Sequence, residues 1–223
     1  MGVLKNGPNG GFSGKAGSVV GSSWKDIEYI RGLPKLRTSA PKVNEVKNRK
    51  KFALTQDWLK ELSCFFTIGL MNYSGRMTAY NAAISLNKNA IRFDGEQLHI
   101  DYPSIILSHG NLPIDENPVL TITNGQINLK WEAVSNSYSD SNDELLFACY
   151  SPEMRVAFFS IGQTDRQSSR FEMEVSKFFA GKTVEAYMAF CSRDRKRASI
   201  SRYLGQHICW SGIYLRSAEK LKN

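Results

Sequence analysis

The sequence predicts a mainly β protein with an N-terminal helical segment, an α+β chain that ends in two packed β-sheets. Three observations predict this class. Glycine is concentrated near the N-terminus, an apolar period typical of helices follows it, and short alternating apolar runs separated by turn residues fill the rest. The 223 residues suffice to bury a core without disulfides or metal ions. We therefore expect three successive segments, 1–42, 43–115 and 116–223.

The first segment is predicted to be a Gly-rich, basic, extended arm. Residues 1–32 contain eight of the 17 glycines, so ordering this backbone alone costs much conformational entropy. The segment nevertheless carries spaced apolar residues, and the alternation over 24–31 favours a short strand that pairs with another surface. The residues predicted to anchor this assembly arm are Phe12, Val19, Val20, Trp24, Tyr29 and Ile30.

The second segment is predicted to be helical and then mixed. Pro41 is a suitable entry to a helix, and apolar residues that include Trp58 recur at helical spacing over 44–64. A second helical pattern runs from Met77 to Leu86. The stretch 91–114 has strand-like pieces.

The third segment is predicted to be a β-sandwich of immunoglobulin or fibronectin type. Asn124-Gly125 stands between two alternating apolar runs, which is a hairpin signal, and Trp131 is a natural core residue. About seven short strands in about 100 residues are typical of this architecture. Further strands are expected at 144–150, 155–161, 170–175, 183–190 and 207–215.

The charge distribution favours a protein partner over a polyanion. The formal net charge is +8, and residues 1–60 hold 12 basic and 4 acidic residues. Residues 61–190 hold 9 basic and 15 acidic residues, whereas 191–223 hold 8 and 2. Basic ends and an acidic middle attract each other between copies of the chain as well as within one. The expected partner is therefore a protein, including another copy of this chain.

Nucleic acid is the alternative partner, because two basic clusters would neutralise phosphates if they shared a face. A solvated helix face and a hairpin tip explain the same residues without any ligand. The residues of this predicted polyanion contact are Lys47, Arg49, Lys50, Lys51, Arg193, Arg195, Lys196 and Arg197.

Several residue strings, spread over nearly the whole chain, resemble one family. They are Gly10-Gly11-Phe12-Ser13-Gly14-Lys15-Ala16-Gly17-Ser18-Val19-Val20-Gly21, Tyr80-Asn81-Ala82-Ala83, Ser108-His109-Gly110-Asn111-Leu112, Leu129-Lys130-Trp131 and Ser201-Arg202-Tyr203-Leu204-Gly205. The chain resembles an uncharacterised family from Bacteroidetes, domain of unknown function 6266. The resemblance implies membership and brings no activity, ligand or catalytic residue with it.

No residue pattern indicates catalysis, so we expect a non-enzymatic protein with no catalytic residues, cofactor or metal ion. Gly14-Lys15 is followed by Ala16, where a phosphate-binding loop needs Ser or Thr. Histidines 99, 109 and 207 are isolated in the sequence. The polar run 135–143 is interpreted as a solvated loop without the spacing of a calcium loop, and Asp115-Glu116 as a domain linker. The four cysteines, Cys64, Cys149, Cys191 and Cys209, are interpreted as reduced core residues.

The leading functional hypothesis is a structural or assembly protein. The N-terminus lacks the apolar run of a secretory signal, and no stretch is apolar enough to span a membrane. We expect a cytoplasmic or virion- or particle-associated protein without a signal peptide. It would self-associate or dock onto a larger particle, as a phage-like or filament component, through its N-terminal arm.

Overall fold

The chain is mainly β with three helices, and it divides into two compact units. The computed structural model describes residues 3–4, 10–24, 27–73, 77–134 and 138–209. One unit comprises Met1–Val46 and the other comprises Lys47–Asn223. The predicted division at residues 42/43 and 115/116 stays a prediction. Within the described residues, no helix is both long enough and apolar enough to cross a bilayer.

The first unit is an antiparallel sheet in which each strand pairs with the next along the chain. Gly21 allows the close approach of two strands, because a Cβ there would lie 2.1 Å from the Phe12 carbonyl oxygen. Trp24 and Ile27 face each other across two antiparallel strands, so the single strand predicted over 24–31 is wrong; residues 25–26 lie outside the described residues. The extended arm is not confirmed. The strands are β1 (Val3–Leu4), β2 (Phe12–Ala16), β3 (Val19–Trp24) and β4 (Ile27–Gly32).

The helices are close to their predicted positions. The helix predicted over 44–64 is present but is interrupted at Leu62, and its buried side includes Trp58 and Leu59. The Thr78 hydroxyl caps the third helix by accepting a 3.2 Å hydrogen bond from the Asn81 amide. The helices are α1 (Val43–Glu61), α2 (Ser63–Gly69) and α3 (Ala79–Asn87).

The remaining strands form three sheets. Asn124 and Gly125 adopt left-handed φ angles of 53° and 76°, as the predicted two-residue hairpin requires. The strands are β5 (Ile91–Asp94), β6 (Gln97–Ile100), β7 (Glu116–Thr123), β8 (Gln126–Glu132), β9 (Glu144–Ser151), β10 (Val156–Asp165), β11 (Arg170–Glu174), β12 (Thr183–Cys191) and β13 (Arg202–Ile208). Short 3₁₀ turns lie at Tyr102–Ser104, Arg166–Ser168 and Lys177–Phe179.

Strand β13 begins at Arg202 and ends at Ile208, so the strand predicted at 207–215 begins earlier than expected. Residues 210–215 lie outside the described residues. The other strands predicted between 144 and 190 are present at β9, β10, β11 and β12. The sheet orders are β10-β9-β12-β13, β11-β8-β7 and β5-β6.

Strands β9 and β12 lie at the centre of the second unit and are buried on both faces. On one face Phe147 and Phe190 share a hydrophobic core with Trp131 of β8, whose ring centroid is 5.7 Å from that of Phe190. On the other face Tyr150 meets Trp58 of α1, with ring centroids 6.4 Å apart. A helical layer therefore covers the side of the four-stranded sheet that faces away from the three-stranded sheet. The predicted core position of Trp131 is confirmed.

Candidate assembly edge and basic cleft

Strand β4 is an edge strand whose six residues are all exposed. Its apolar side chains occupy both sides of the strand, because successive side chains alternate between faces. Ile27 is 67% exposed and Ile30 is 64% exposed, and the Tyr29 ring is also exposed. On the neighbouring strand Trp24 is 48% exposed. This strand edge with its apolar side chains is named the assembly edge here.

The peptide groups of the assembly edge have a definite direction. The Leu33 amide donates a 3.0 Å hydrogen bond to the Ser18 carbonyl, continuing the register of β3 and β4. Hydrogen-bonding residues alternate along an antiparallel strand, so the odd-numbered residues of β4 bond to β3. The N–H and C=O groups of Glu28, Ile30 and Gly32 therefore point away from the sheet.

The edges of the two larger sheets in the second unit differ from the assembly edge, whereas the β5–β6 pairing also runs without a shift. The pairings of β7, β10 and β13 with their neighbours each contain a register shift, and β11 exposes the charged residues Arg170, Glu172 and Glu174. Bulges and charges are the usual means by which proteins prevent edge-to-edge pairing. The pairing of β4 with β3 runs without a shift from Val19–Gly32 to Trp24–Ile27.

The six predicted anchors of the arm lie on β2, β3 and β4 of one sheet. Phe12, Val19 and Val20 are half-buried, whereas Trp24, Tyr29 and Ile30 are exposed. The structure thus brings the six residues into one sheet, and half of them form its surface. Their role in assembly stays a prediction.

The two predicted basic clusters lie on different elements. Lys47, Arg49, Lys50 and Lys51 are on α1, where the Lys47 ammonium stands 5.5 Å from the centre of the Phe93 ring. The residues 193–197 form the exposed loop that follows β12. None of the α1 cluster lines the cleft beside this loop.

This cleft, named the basic cleft, has a volume of about 360 Å³ and lies between α2 and the loop 193–197. Its lining combines basic side chains with amide and apolar groups. The lining residues are Ile68, Gly69, Asn72, His109, Gly110, Asn111, Arg195, Lys196, Arg197 and Ala198.

Two glycines allow the walls of the basic cleft to approach each other. A Cβ on Gly110 would lie 2.2 Å from the Ala198 carbonyl oxygen, and a Cβ on Gly69 would lie 2.6 Å from Ser108 Cβ. The Ser108 hydroxyl bonds to the Ser199 carbonyl at 2.6 Å and to the Gly69 carbonyl at 3.2 Å. The end of α2, the loop after Leu107 and the start of the final strand region are thus held together by backbone contacts.

The loop 193–197 is held by its own hydrogen bonds. The Ser192 hydroxyl donates to Asp194 Oδ1 at 2.6 Å and accepts from the Arg197 amide at 2.9 Å. The Lys196 amide donates to the same carboxylate at 3.0 Å. The bond from the Ser192 hydroxyl is the main cause of a lowered Asp194 pKa. The Asn72 amide, from beyond α2, donates to the Lys196 carbonyl and ties the loop to the opposite wall.

The cations of the basic cleft are only loosely paired. A guanidinium carries five N–H donors, and an ammonium carries three, so one long contact leaves most of them available. The contacts are Glu144 Oε2 at 3.6 Å from Arg195, Asp194 Oδ2 at 3.9 Å from Lys196, and Tyr138 O at 3.5 Å from Arg197.

A buried ion cluster lies outside both surfaces, and sequence reasoning missed it. The Arg166 guanidinium, 2% exposed, bonds to Asp115 and lies 3.3 Å from Asp143 Oδ2. It also donates to the Pro113 carbonyl at 2.9 Å and stacks 4.2 Å above the Phe190 ring. The interpretations of Asp115 as a linker residue and of Asp143 as part of a solvated loop are therefore wrong, because both carboxylates are fully buried.

No spacing in the sequence joins these three residues, which are 23 to 51 positions apart. Asp115 Oδ2 and Asp143 Oδ1 have no hydrogen-bond partner within the described part of the chain. Burial raises the Asp115 pKa, and the bonds from Val134 and Arg166 oppose this rise. The cluster is a structural feature in which one arginine forms ion pairs with two carboxylates.

Three cysteines are buried thiols, as predicted. Burial raises the pKa of Cys191 to about 12 and that of Cys209 to about 11, and it also raises the pKa of Cys149. Cys64 is exposed, so its predicted core position is wrong. Across the described ranges, no three His, Cys, Asp or Glu side chains are grouped as metal ligands.

The sequence pattern of a family of unknown function (DUF6266) matches residues 11–205, and the chain belongs to this family. The match confirms the resemblance drawn from the glycine-rich string and from the segments around His109 and Trp131. The attribution to Bacteroidetes stays a prediction. No curated protein matches the chain.

Proposed function

We propose that this member of a family of unknown function is a non-enzymatic assembly protein that joins copies of itself through the assembly edge. The observation that carries the proposal is an edge strand with regular pairing and three exposed apolar side chains among its six residues, whereas the edges of the two larger sheets of the second unit are bulged or more highly charged. An unprotected edge with free peptide groups is a template for strand addition. A filament or a phage-like particle built from repeated copies is the setting that we propose for this pairing.

A second copy is a suitable occupant because β4 can pair with itself. In a continuous antiparallel sheet related by a two-fold axis, residues that face each other lie on the same face. Pairing centred on Ile30 places the two Ile30 side chains together and sets Glu28 opposite Gly32 of the second copy. These are the residues whose peptide groups point outward.

The same register gives favourable side-chain pairs. Tyr29 faces Arg31 of the second copy on the other side of the sheet, and this pair occurs twice by symmetry. A guanidinium over a tyrosine ring is attractive. Pairing centred on Tyr29 would instead set Glu28 against Ile30 and Arg31 against Ile27, which leaves charged groups opposite apolar ones. We therefore propose the register centred on Ile30.

We also propose that the strands from β7 onward form a β-sandwich of fibronectin type. Named A to G in chain order, they are arranged as A-B-E and D-C-F-G. Constant immunoglobulin domains place strand D beside E. The position of D beside C, together with the shared core around Phe147, supports the fibronectin variant. In this view the sandwich is the scaffold and the first unit is the connector.

Sedimentation velocity over a concentration series tests self-association of the full-length chain. Ile30→Lys places a charge on the assembly edge, and we expect the apparent dissociation constant to rise at least tenfold. Val119→Lys is the matched control, because Val119 is 58% exposed on the edge strand β7. It should leave association unchanged. A wild-type chain that stays monomeric at high concentration, or equal loss in both variants, contradicts the proposal.

The alternative function, a nucleic-acid-binding accessory protein, is supported by the exposure of all four basic residues of the loop 193–197. Binding to phosphates weakens steeply with salt, because it releases counterions. Pairing of β4 with β4 joins two units of like net charge and should not weaken with salt. If the chain binds DNA with a steep salt dependence and shows no self-association, the alternative replaces the assembly proposal.

A further inference from the structure

The basic cleft is a second site that the assembly proposal does not use. Arg195, Lys196 and Arg197 border a space that also exposes the amide of Asn111 and the imidazole of His109. Elsewhere in the described chain, no residue hydrogen-bonds to the side chains of His109 or Asn111. The His109 and Tyr73 rings instead form an edge-to-face contact, with ring centroids 5.1 Å apart. The lining of the cleft thus combines cations that have available donors with the imidazole of His109.

Arg195 has a backbone conformation that is unfavourable for an arginine. Its φ is +55°, in the left-handed region where glycine or asparagine is accommodated with less strain. The turn is already closed by two backbone donors: the Arg195 amide donates to the Ser192 carbonyl at 2.7 Å, and the Lys196 amide donates to Asp194 Oδ1 at 3.0 Å. Neither bond needs an arginine side chain. An arginine at this position therefore adds a guanidinium to the cleft but strains the backbone.

The neighbouring negative groups leave most donors of the cations available. Arg195 forms an ion pair with Glu144 Oε2 at 3.6 Å. Asp194 Oδ1 accepts from Ser192 and from the Lys196 amide, and Asp194 Oδ2 stands 3.9 Å from the Lys196 ammonium. The carbonyl of Gly69 at the end of α2 would repel an anion. It is already bonded to the His109 amide at 3.0 Å and to the Ser108 hydroxyl.

We infer that the basic cleft binds a small phosphomonoester, with the phosphate on Arg195 and its basic neighbours and the organic part against Ile68 and His109. Arginine matches phosphate oxygens with paired donors, and lysine adds a compact charge. The volume of about 360 Å³ is at the small end of the range for ligand sites, which suits a group of nucleotide size. The loop is held in place before binding, so little ordering cost opposes it.

Isothermal titration calorimetry on the full chain tests this site with inorganic phosphate, adenosine 5′-monophosphate and adenosine as probes. Arg195→Gly removes the cation together with its 3.6 Å ion pair to Glu144, and it relieves the left-handed backbone, so we expect the fold to be retained. Arg155→Gly is the matched control, because Arg155 has nearly the same φ, 54°, and lies outside the cleft. We expect Arg195→Gly to weaken monophosphate binding at least tenfold and Arg155→Gly to change it less than twofold. Adenosine should not bind.

His109→Ala should weaken adenosine 5′-monophosphate binding more than inorganic phosphate binding, because it removes the surface against the organic part. The proposal is overturned if neither phosphate probe binds at millimolar concentration, or if both glycine variants lose binding equally. A thymidine oligonucleotide distinguishes the source of the phosphate. If it binds through Arg195 while both small probes fail, the cleft belongs to a nucleic-acid interface and the small-ligand proposal is wrong.

Discussion

Strands β4 and β9 are both rich in large apolar residues, yet they have opposite surroundings. Every residue of β4 is exposed, whereas β9 is buried from Leu145 to Ser151 between a second sheet and the helices. An apolar strand is thus part of a hydrophobic core only where other layers of the chain cover it. The uncovered apolar strand is the part of the molecule that we expect to bind a partner.

The largest expected effect is in the buried ion cluster of the second unit. Arg166→Met leaves Asp115 and Asp143 buried without their cation, so the free energy of unfolding should fall by about 3–5 kcal/mol. Denaturant unfolding followed by circular dichroism measures this. Arg170→Met, at an exposed edge position, should change it by less than about 0.5 kcal/mol. Equal effects would show that the cluster does not stabilise the second unit.

A smaller effect is expected where the first unit is tightly built. Gly21→Ala would set a Cβ against the Phe12 carbonyl, at a cost of about 1–3 kcal/mol, and should loosen β2 from β3. Gly32→Ala is the control, because its Cβ would meet nothing within 4 Å. Hydrogen exchange should rise in residues 12–32 for Gly21→Ala alone, with strands β9 and β12 unchanged. Increased exchange throughout the chain would show that the two units are not independent in stability.

The pH dependence of stability should distinguish Asp115 from exposed carboxylates. Its pKa is raised by burial, so the native state takes up this proton at a higher pH than the unfolded chain. As the pH falls from neutral through the raised pKa, this group adds to the free energy of unfolding. Asp115→Asn lacks that gain, so the stability of the wild type relative to the variant should increase on acidification. A difference that is constant or shrinks on acidification contradicts the raised pKa.

The smallest expected effect is on the stability of the monomer when the assembly edge is changed. Ile30→Thr keeps a β-branched residue at an exposed position, so the free energy of unfolding should change by less than about 0.5 kcal/mol. The measurement is made at protein concentrations below those of self-association. A loss of several kcal/mol would mean that Ile30 supports its own sheet, and it would remove the contrast between β4 and β9.

Local patterns predicted the elements better than their environments. The Asn124-Gly125 turn and Trp131 are as expected, because a two-residue left-handed turn and a large inward aromatic are recognisable locally. The alternation over 24–31 predicts one strand, since it continues across a chain reversal without a break in period. The sequence shows the charge of the loop 193–197, but the cleft beside this loop depends on the distant glycines Gly69 and Gly110.

The sequence by itself determined the mainly β character, the helical segment, the hairpin and the family of this protein, because periodicity, turn residues and motif strings are local properties of the chain. Only the tertiary structure decided that Asp115 and Asp143 share one buried arginine, that β9 is covered on both faces, and that β4 is covered on neither. Burial is set by which layers meet. Contacts between layers join residues far apart in sequence, such as Gly110 and Ala198, and no short sequence pattern encodes these contacts.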